Sequence, residues 1–198
     1  MQIVPHLNTW RRLLAQRQGD EQAALIAAAI QRCYAVLLDQ RQPSLRPSQS
    51  KRLRQLVLLG LALYQTLKEF NTSQEGCLAE TEHLFKATLF LNERRFTAWI
   101  NHLPDPFPLV RLMLRQVERA SHVEAEQEIV EDSPQCFAFN TLRCFLLEVL
   151  RLYQALELAP LYCKTDDWMA EAMPKVPWLR TKILGRGDAV CDFRWERV

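Results

Sequence analysis

Glycine is scarce, with 5 in 198 residues, and no segment repeats or is of low complexity. That excludes collagen-like and Gly-rich chains, and 48% hydrophobic against 24% charged residues excludes wholesale disorder. An excess of one charge is missing too: 25 Lys and Arg stand against 23 Asp and Glu, a formal net of +2. Nucleic acid and membrane surfaces are therefore not the expected partners. The longest strongly apolar run, Leu56 to Tyr64, is about half of the roughly 20 residues a spanning helix needs. The N-terminus, MQIVPHLNTWRRLL, lacks the basic, apolar and small-residue order of a secretory signal. The expectation is a soluble, cytoplasmic protein.

Closely spaced metal ligands are also absent. No CxxC, HxxxH or HxH occurs, and His6, His83, His102 and His122 are scattered, so they read as surface or structural residues. In a chain of this length without a signal, the six cysteines read as reduced thiols rather than a disulfide framework. The basic residues Arg41, Arg46, Lys51, Arg52 and Arg54 lie in an acid-free stretch with no interleaved aromatic residue. A solvated loop and helix start fits this better than a phosphate-binding patch.

What remains is a chain long enough to bury roughly 70% of its unfolded surface without staples. Apolar spacing predicts helices over residues 21–40, with Asp20 as N-cap, and from Pro47 or Ser48 to Phe70. The second is apolar on nearly every side between Leu56 and Tyr64, so it should be central. A third helix over 75–100 stops at Pro104-Asp-Pro-Phe-Pro108, and a fourth covers 109–120. Residues 126–131 and 136–139 then read as short strands, 141–158 and 166–173 as helices. Residues 178–184 and 189–195, joined by Gly185-Arg-Gly-Asp188, read as a hairpin. The pattern predicts an α+β fold in one domain of 198 residues. A mainly helical half, 1–124, packs with a small antiparallel sheet and covering helices in 125–198.

The C-terminal third gathers Cys136, Cys144, Cys163 and Cys191 with Asp166, Asp167, Arg180 and Asp192. A thiolate is a strong nucleophile, and a cation or helix N-terminus lowers a thiol's pKa. Cys163 lies just before the helix expected from Asp166, whose carboxylate could move a proton, orient a water or hold a cationic substrate. In the hairpin, a four-residue loop pairing Leu184 with Ala189 sets Lys182 opposite Cys191 and Arg180 opposite Phe193. A three-residue loop sets Thr181 opposite Cys191 and sends both cations to the other face.

Four segments follow one another in an informative order: Phe137-Ala-Phe-Asn-Thr-Leu-Arg-Cys144, Glu157-Leu-Ala-Pro-Leu-Tyr-Cys163-Lys-Thr-Asp166, Arg180-Thr181-Lys182, and Gly187-Asp-Ala-Val-Cys191-Asp192-Phe193. Together they resemble the L-2-amino-thiazoline-4-carboxylic acid hydrolase family over about residues 50–196. The chain departs from the family pattern at Ile183, where a hydroxyl residue is common, and at Gln154-Ala-Leu, where a glycine precedes the glutamate. The Cys and Asp positions are kept. The resemblance implies hydrolysis of a cyclic amidine, opening a thiazoline-type amino acid ring to a carbamoyl amino acid. It implies Cys163, Asp166 and Cys191 as catalytic residues, the nucleophile being the Cys163 thiolate, the Cys191 thiolate or a water activated by Asp166, with Arg180, Cys144 and Asp192 binding substrate. Arg180 suits a substrate carboxylate because its fork matches two oxygens, while Asp192 is an alternative partner for Arg180 itself.

No cofactor is expected on this reading, and the partner is a small-molecule substrate; an oligomer is compatible with it. The contrasting reading is a non-catalytic binding protein in which Cys144, Cys163 and Cys191 converge on a hydrophobic ligand or, with Asp166 as fourth ligand, on a metal. A third is a helical partner-binding protein using the basic stretch from Arg41 to Arg54.

Overall fold

The structure, a computed structural model, describes residues 4–40, 47–70, 73–121 and 125–198. Its fold is α+β, with helices throughout and a four-stranded antiparallel sheet in the C-terminal half. The chain divides into two compact units, Met1–Leu89 and Phe90–Val198.

The first unit is helical: α1 (Leu7–Gln18), α2 (Asp20–Asp39), α3 (Pro47–Arg52), a π-helical segment (Leu53–Leu58), α4 (Leu59–Phe70) and α5 (Gln74–Thr88). Helix α4 is central as its composition requires, with every residue from Leu59 to Tyr64 buried. Trp10 of α1 is fully buried and donates from Nε1 to Thr88 Oγ1 at 3.0 Å, which pairs the one polar atom of a large apolar group. By length and composition alone α2 could cross a membrane, yet Ala23, Ile26, Ala27, Ile30, Tyr34 and Leu37 pack into the unit. Asp20 is the first residue of α2 rather than its cap, which is Gly19 at φ +86°. Lys51, Arg52 and Arg54 are exposed; Arg41, Arg46 and His122 lie outside the described residues.

The helix expected over 75–100 is two helices. Leu89 is extended and Phe90 takes the left-handed conformation at φ +56°, so α5 ends at Thr88 and α6 (Leu91–Ile100) starts anew. Helix α7 (Phe107–Ser121) follows the proline run.

Strands β1 (Ala125–Asp132) and β2 (Cys136–Cys144) are longer than expected, and the helix predicted from Thr141 is strand as far as Cys144. Helix α8 (Phe145–Leu152) and a 3-10 turn (Leu156–Leu158) then lead into α9 (Ala159–Glu171), β3 (Trp178–Leu179), a second 3-10 turn (Leu184–Arg186) and β4 (Cys191–Glu196). The sheet order is β1-β2-β4-β3. Strand β1 is an edge, interrupted by irregularities at Glu126/Gln127 and Ile129/Glu131, with Glu126, Glu128 and residues 129–132 exposed. Cross-strand pairing sets Phe137 with Trp195, Phe139 with Phe193 and Thr141 with Cys191, so these share one face. That face carries the core of the unit, where Phe137 and Phe139 pack with Ile100, Phe107, Val110, Met173 and Val176.

Candidate active site

Helix α9 begins at Ala159, seven residues before the start expected from the sequence. Pro160 sits in its first turn, where a missing N–H does no harm. Cys163 is consequently inside the helix and not ahead of it, so backbone amides at the N-terminus do not face its sulfur in the way the sequence suggested. Asp166 and Asp167 follow one turn later on the same helix.

The loop between β3 and β4 supplies the other side of the site. Trp178 pairs with Trp195 and Leu179 with Arg194, the register that a four-residue hairpin loop would give. The ladder ends there, however, and residues 180–190 form a longer connection containing the 3-10 turn. Arg180 still falls opposite Phe193: its guanidinium carbon lies 5.4 Å from the Phe193 ring centroid and 4.9 Å from that of Trp178. Its side chain is only 3% exposed. Nη1 donates to Asp166 Oδ2 at 3.0 Å, and Nη2 donates to Asp167 Oδ1 at 2.9 Å and to the Cys163 carbonyl at 3.0 Å. Arg180 Nε and Trp178 Nε1 are buried donors without a hydrogen-bond partner among the described residues.

Asp192 does not hold Arg180. Its carboxylate accepts from the amides of Thr181 and Lys182, at 2.7 and 2.5 Å, and from the Thr181 hydroxyl. Burial pushes its pKa upward, but these hydrogen bonds outweigh burial and hold it below the ordinary aspartate value. The next amide, Ile183, donates to Asp188 Oδ2 at 2.7 Å, and the one after, Leu184, donates to Cys191 Sγ at 3.2 Å. Four successive amides are thus taken by side chains of residues 188–192. On the other side of the 3-10 turn, a Cβ on Gly185 would stand 3.0 Å from Cys163 Sγ. One turn therefore touches both sulfurs.

The six cysteines are free. Burial pushes Cys163 up to about 12, with Cys191, Asp166 and Cys144 adding to the rise and Arg180 opposing it. Burial likewise pushes Cys191 up to about 11; the Leu184 amide and Arg180 pull it back while Cys144 and Asp166 add to the rise. Cys144, at the junction of β2 and α8, belongs to the same electrostatic neighbourhood. Three thiols, Asp166 and Arg180 thus act on one another, and both catalytic-candidate thiols are neutral near pH 7. Among the described residues no group of three or more His, Cys, Asp or Glu is placed to hold a metal ion.

Sequence reasoning did not single out Trp178, Phe193, Gly185 or Asp188. Trp178 and Arg180 are two apart along a strand edge and so share a face, a signal that was legible. The approach of Gly185 to the sulfur of Cys163, in α9 and on the far side of β3 in sequence, was not.

The profile of the L-2-amino-thiazoline-4-carboxylic acid hydrolases matches residues 51–195. No curated protein matches the chain. Among solved structures, the crystal structure of an Fe(II) unliganded H-NOX protein from K. algicida is similar with a TM-score of 0.36 and 11% identity, covering 97% of this chain and 94% of that chain.

Proposed function

The chain belongs to the L-2-amino-thiazoline-4-carboxylic acid hydrolase family, and we propose that it is a hydrolase opening a small cyclic amidine of the thiazoline amino acid type. The observation that carries this reading is the meeting of Cys163, Cys191, Cys144, Asp166 and Arg180 in one neighbourhood of the second unit, from segments far apart in sequence. Water is added across the ring: oxygen ends on the amidine carbon, hydrogen on the ring atom that leaves, and the product is a carbamoyl amino acid.

The catalytic residues are Cys163, Cys191 and Asp166. Because burial keeps both thiols protonated, a sulfur attacks the amidine carbon only as its proton moves away, and the role of base falls to the Asp166 carboxylate, which acts electrostatically on both. The same carboxyl then returns the proton to the leaving ring atom; water, giving a proton to Asp166, attacks the carbon of the cysteine adduct, and the carbon–sulfur bond breaks as the thiol takes that proton back. Alternatively Asp166 activates the water directly. Arg180 holds Asp166 and Asp167 through Nη1 and Nη2 and keeps Nε for a substrate carboxylate. Cys144 lines the site, and Asp192 shapes the loop against which the substrate lies. No cofactor enters this scheme.

The test is turnover of 2-amino-thiazoline-4-carboxylate, followed by appearance of the carbamoyl product. Wild type turns over, and Asp166→Asn falls by about 100-fold or more, the usual contribution of a positioned acid–base group. Unchanged turnover in both Cys163→Ala and Asp166→Asn refutes the site.

A further inference from the structure

Two thiols face the same 3-10 turn, but the turn meets them differently. Cys163 lies against Gly185, where a Cβ would stand 3.0 Å from its sulfur, an apolar approach that cannot stabilise charge. Cys191 receives a backbone N–H, from Leu184 at 3.2 Å. The peptide that carries this N–H opens the 3-10 turn: its carbonyl, on Ile183, accepts from the Arg186 amide at 2.8 Å, while Ile183 itself is extended at φ −141°. The other face of the residue is held by a side chain: one peptide earlier Asp188 Oδ2 accepts the Ile183 amide at 2.7 Å, and the Asp188 amide adds a longer bond to the Ile183 carbonyl at 3.4 Å.

We propose that Asp188 is a positioning residue for Cys191: by holding the Ile183 amide it aims the Leu184 N–H at the Cys191 sulfur, and so selects Cys191 over Cys163 as the thiol that ionises. This rests on the hydrolase reading for its catalytic meaning, though not for its chemistry. An N–H aimed at sulfur favours thiolate over thiol, whereas a Cα–H packed against sulfur does not. The charged and titratable groups acting on Cys191 are otherwise shared with Cys163: Cys144 from the β2–α8 junction, Asp166 from α9 and Arg180 from the loop after β3. The Leu184 amide is the contact that Cys191 has in addition.

The experiment measures alkylation of each cysteine by iodoacetamide at pH 8.5, resolved by peptide mass spectrometry in the full-length protein, for wild type, Asp188→Ala and Asp188→Asn. In Asp188→Ala the Cys191 rate drops about five-fold, the equivalent of one modest hydrogen bond to the ionised form, while the Cys163 rate in the same molecules is unchanged. Asp188→Asn, whose amide oxygen still accepts the Ile183 N–H, returns the Cys191 rate to within about two-fold of wild type, an error allowance of some tenths of a kcal/mol. An unchanged or faster Cys191 rate in Asp188→Ala, an equal change at both thiols, or no rescue by Asn overturns the proposal. Thermal unfolding of each variant identifies a general loosening, which would move both thiols together. If wild type opens no thiazoline, the functional reading falls while the alkylation pattern still decides the role of Asp188.

Discussion

Replacing Arg180 by Lys keeps the charge and removes the fork. In the structure the guanidinium bridges Asp166 and Asp167, reaches the Cys163 carbonyl, and lies over Trp178 and Phe193 with 3% of its side chain exposed. A lysine ammonium is a point charge that can sit at one carboxylate or the other, but cannot meet both while lying flat on a ring. Breaking a buried ion pair outright costs about 3–5 kcal/mol when the abandoned partner stays dry. Here the abandoned carboxylates are 48% and 42% exposed and regain water, so most of that penalty disappears. What is lost in Arg180→Lys is the bond to the Cys163 carbonyl, one carboxylate bond and part of two ring contacts. Together these suggest about 2 kcal/mol. Urea unfolding at pH 7 measures this, and Arg180→Met, which keeps packing and drops charge, should lie within about 1 kcal/mol of the lysine variant. A lysine variant as stable as wild type would show that charge alone matters at this position, and would refute the role given to the planar fork.

Alkaline pH should weaken the fold. Cys163 and Cys191 are held at about 12 and about 11, against 9.0 for an unperturbed thiol. Their contribution is intact below pH 9 and is lost as pH rises toward those values, because the unfolded thiols ionise first; each can steepen the loss by at most about 1.4 kcal/mol per pH unit. Unfolding free energies of wild type and Cys191→Ala from pH 8 to 10.5 test this, and equal slopes would show that the sulfur is solvated. In Gly185→Ala the new methyl meets Cys163 Sγ at 3.0 Å, a cost of about 1 kcal/mol. In a Cys163→Ala background most of that cost should vanish, and a double-mutant cycle without coupling would contradict the close approach.

The helix-rich first half and the sheet in the second were legible because apolar spacing changes where packing changes. Leu56 to Tyr64, apolar all round, became the buried stretch running into α4. The break at Phe90 was not legible: Leu89, Phe90 and Leu91 are acceptable helix residues, and only three-dimensional packing makes a left-handed phenylalanine tolerable. The start of α9 was not legible either: Pro160 stands in its first turn, and a proline marks a helix start as readily as an end. Beginning α9 at Ala159 instead of residue 166 changes the surroundings of Cys163. The Cys, Asp and Arg residues of the site were visible as an ordered set. Their partners were not, because the connection from Arg180 to Cys191 is held by side chains rather than by a ladder, and no register rule describes it.

The unpaired rim of the sheet has a practical consequence for anyone handling the protein. Strand β1 leaves Ile129 and Val130 each 46% exposed beside Glu126, Glu128 and Glu131. Mutual repulsion among these anions, together with the two kinks, keeps a second molecule from extending the strand array. Concentrated salt screens that guard while leaving the greasy pair uncovered, so self-association through this rim should grow with ionic strength.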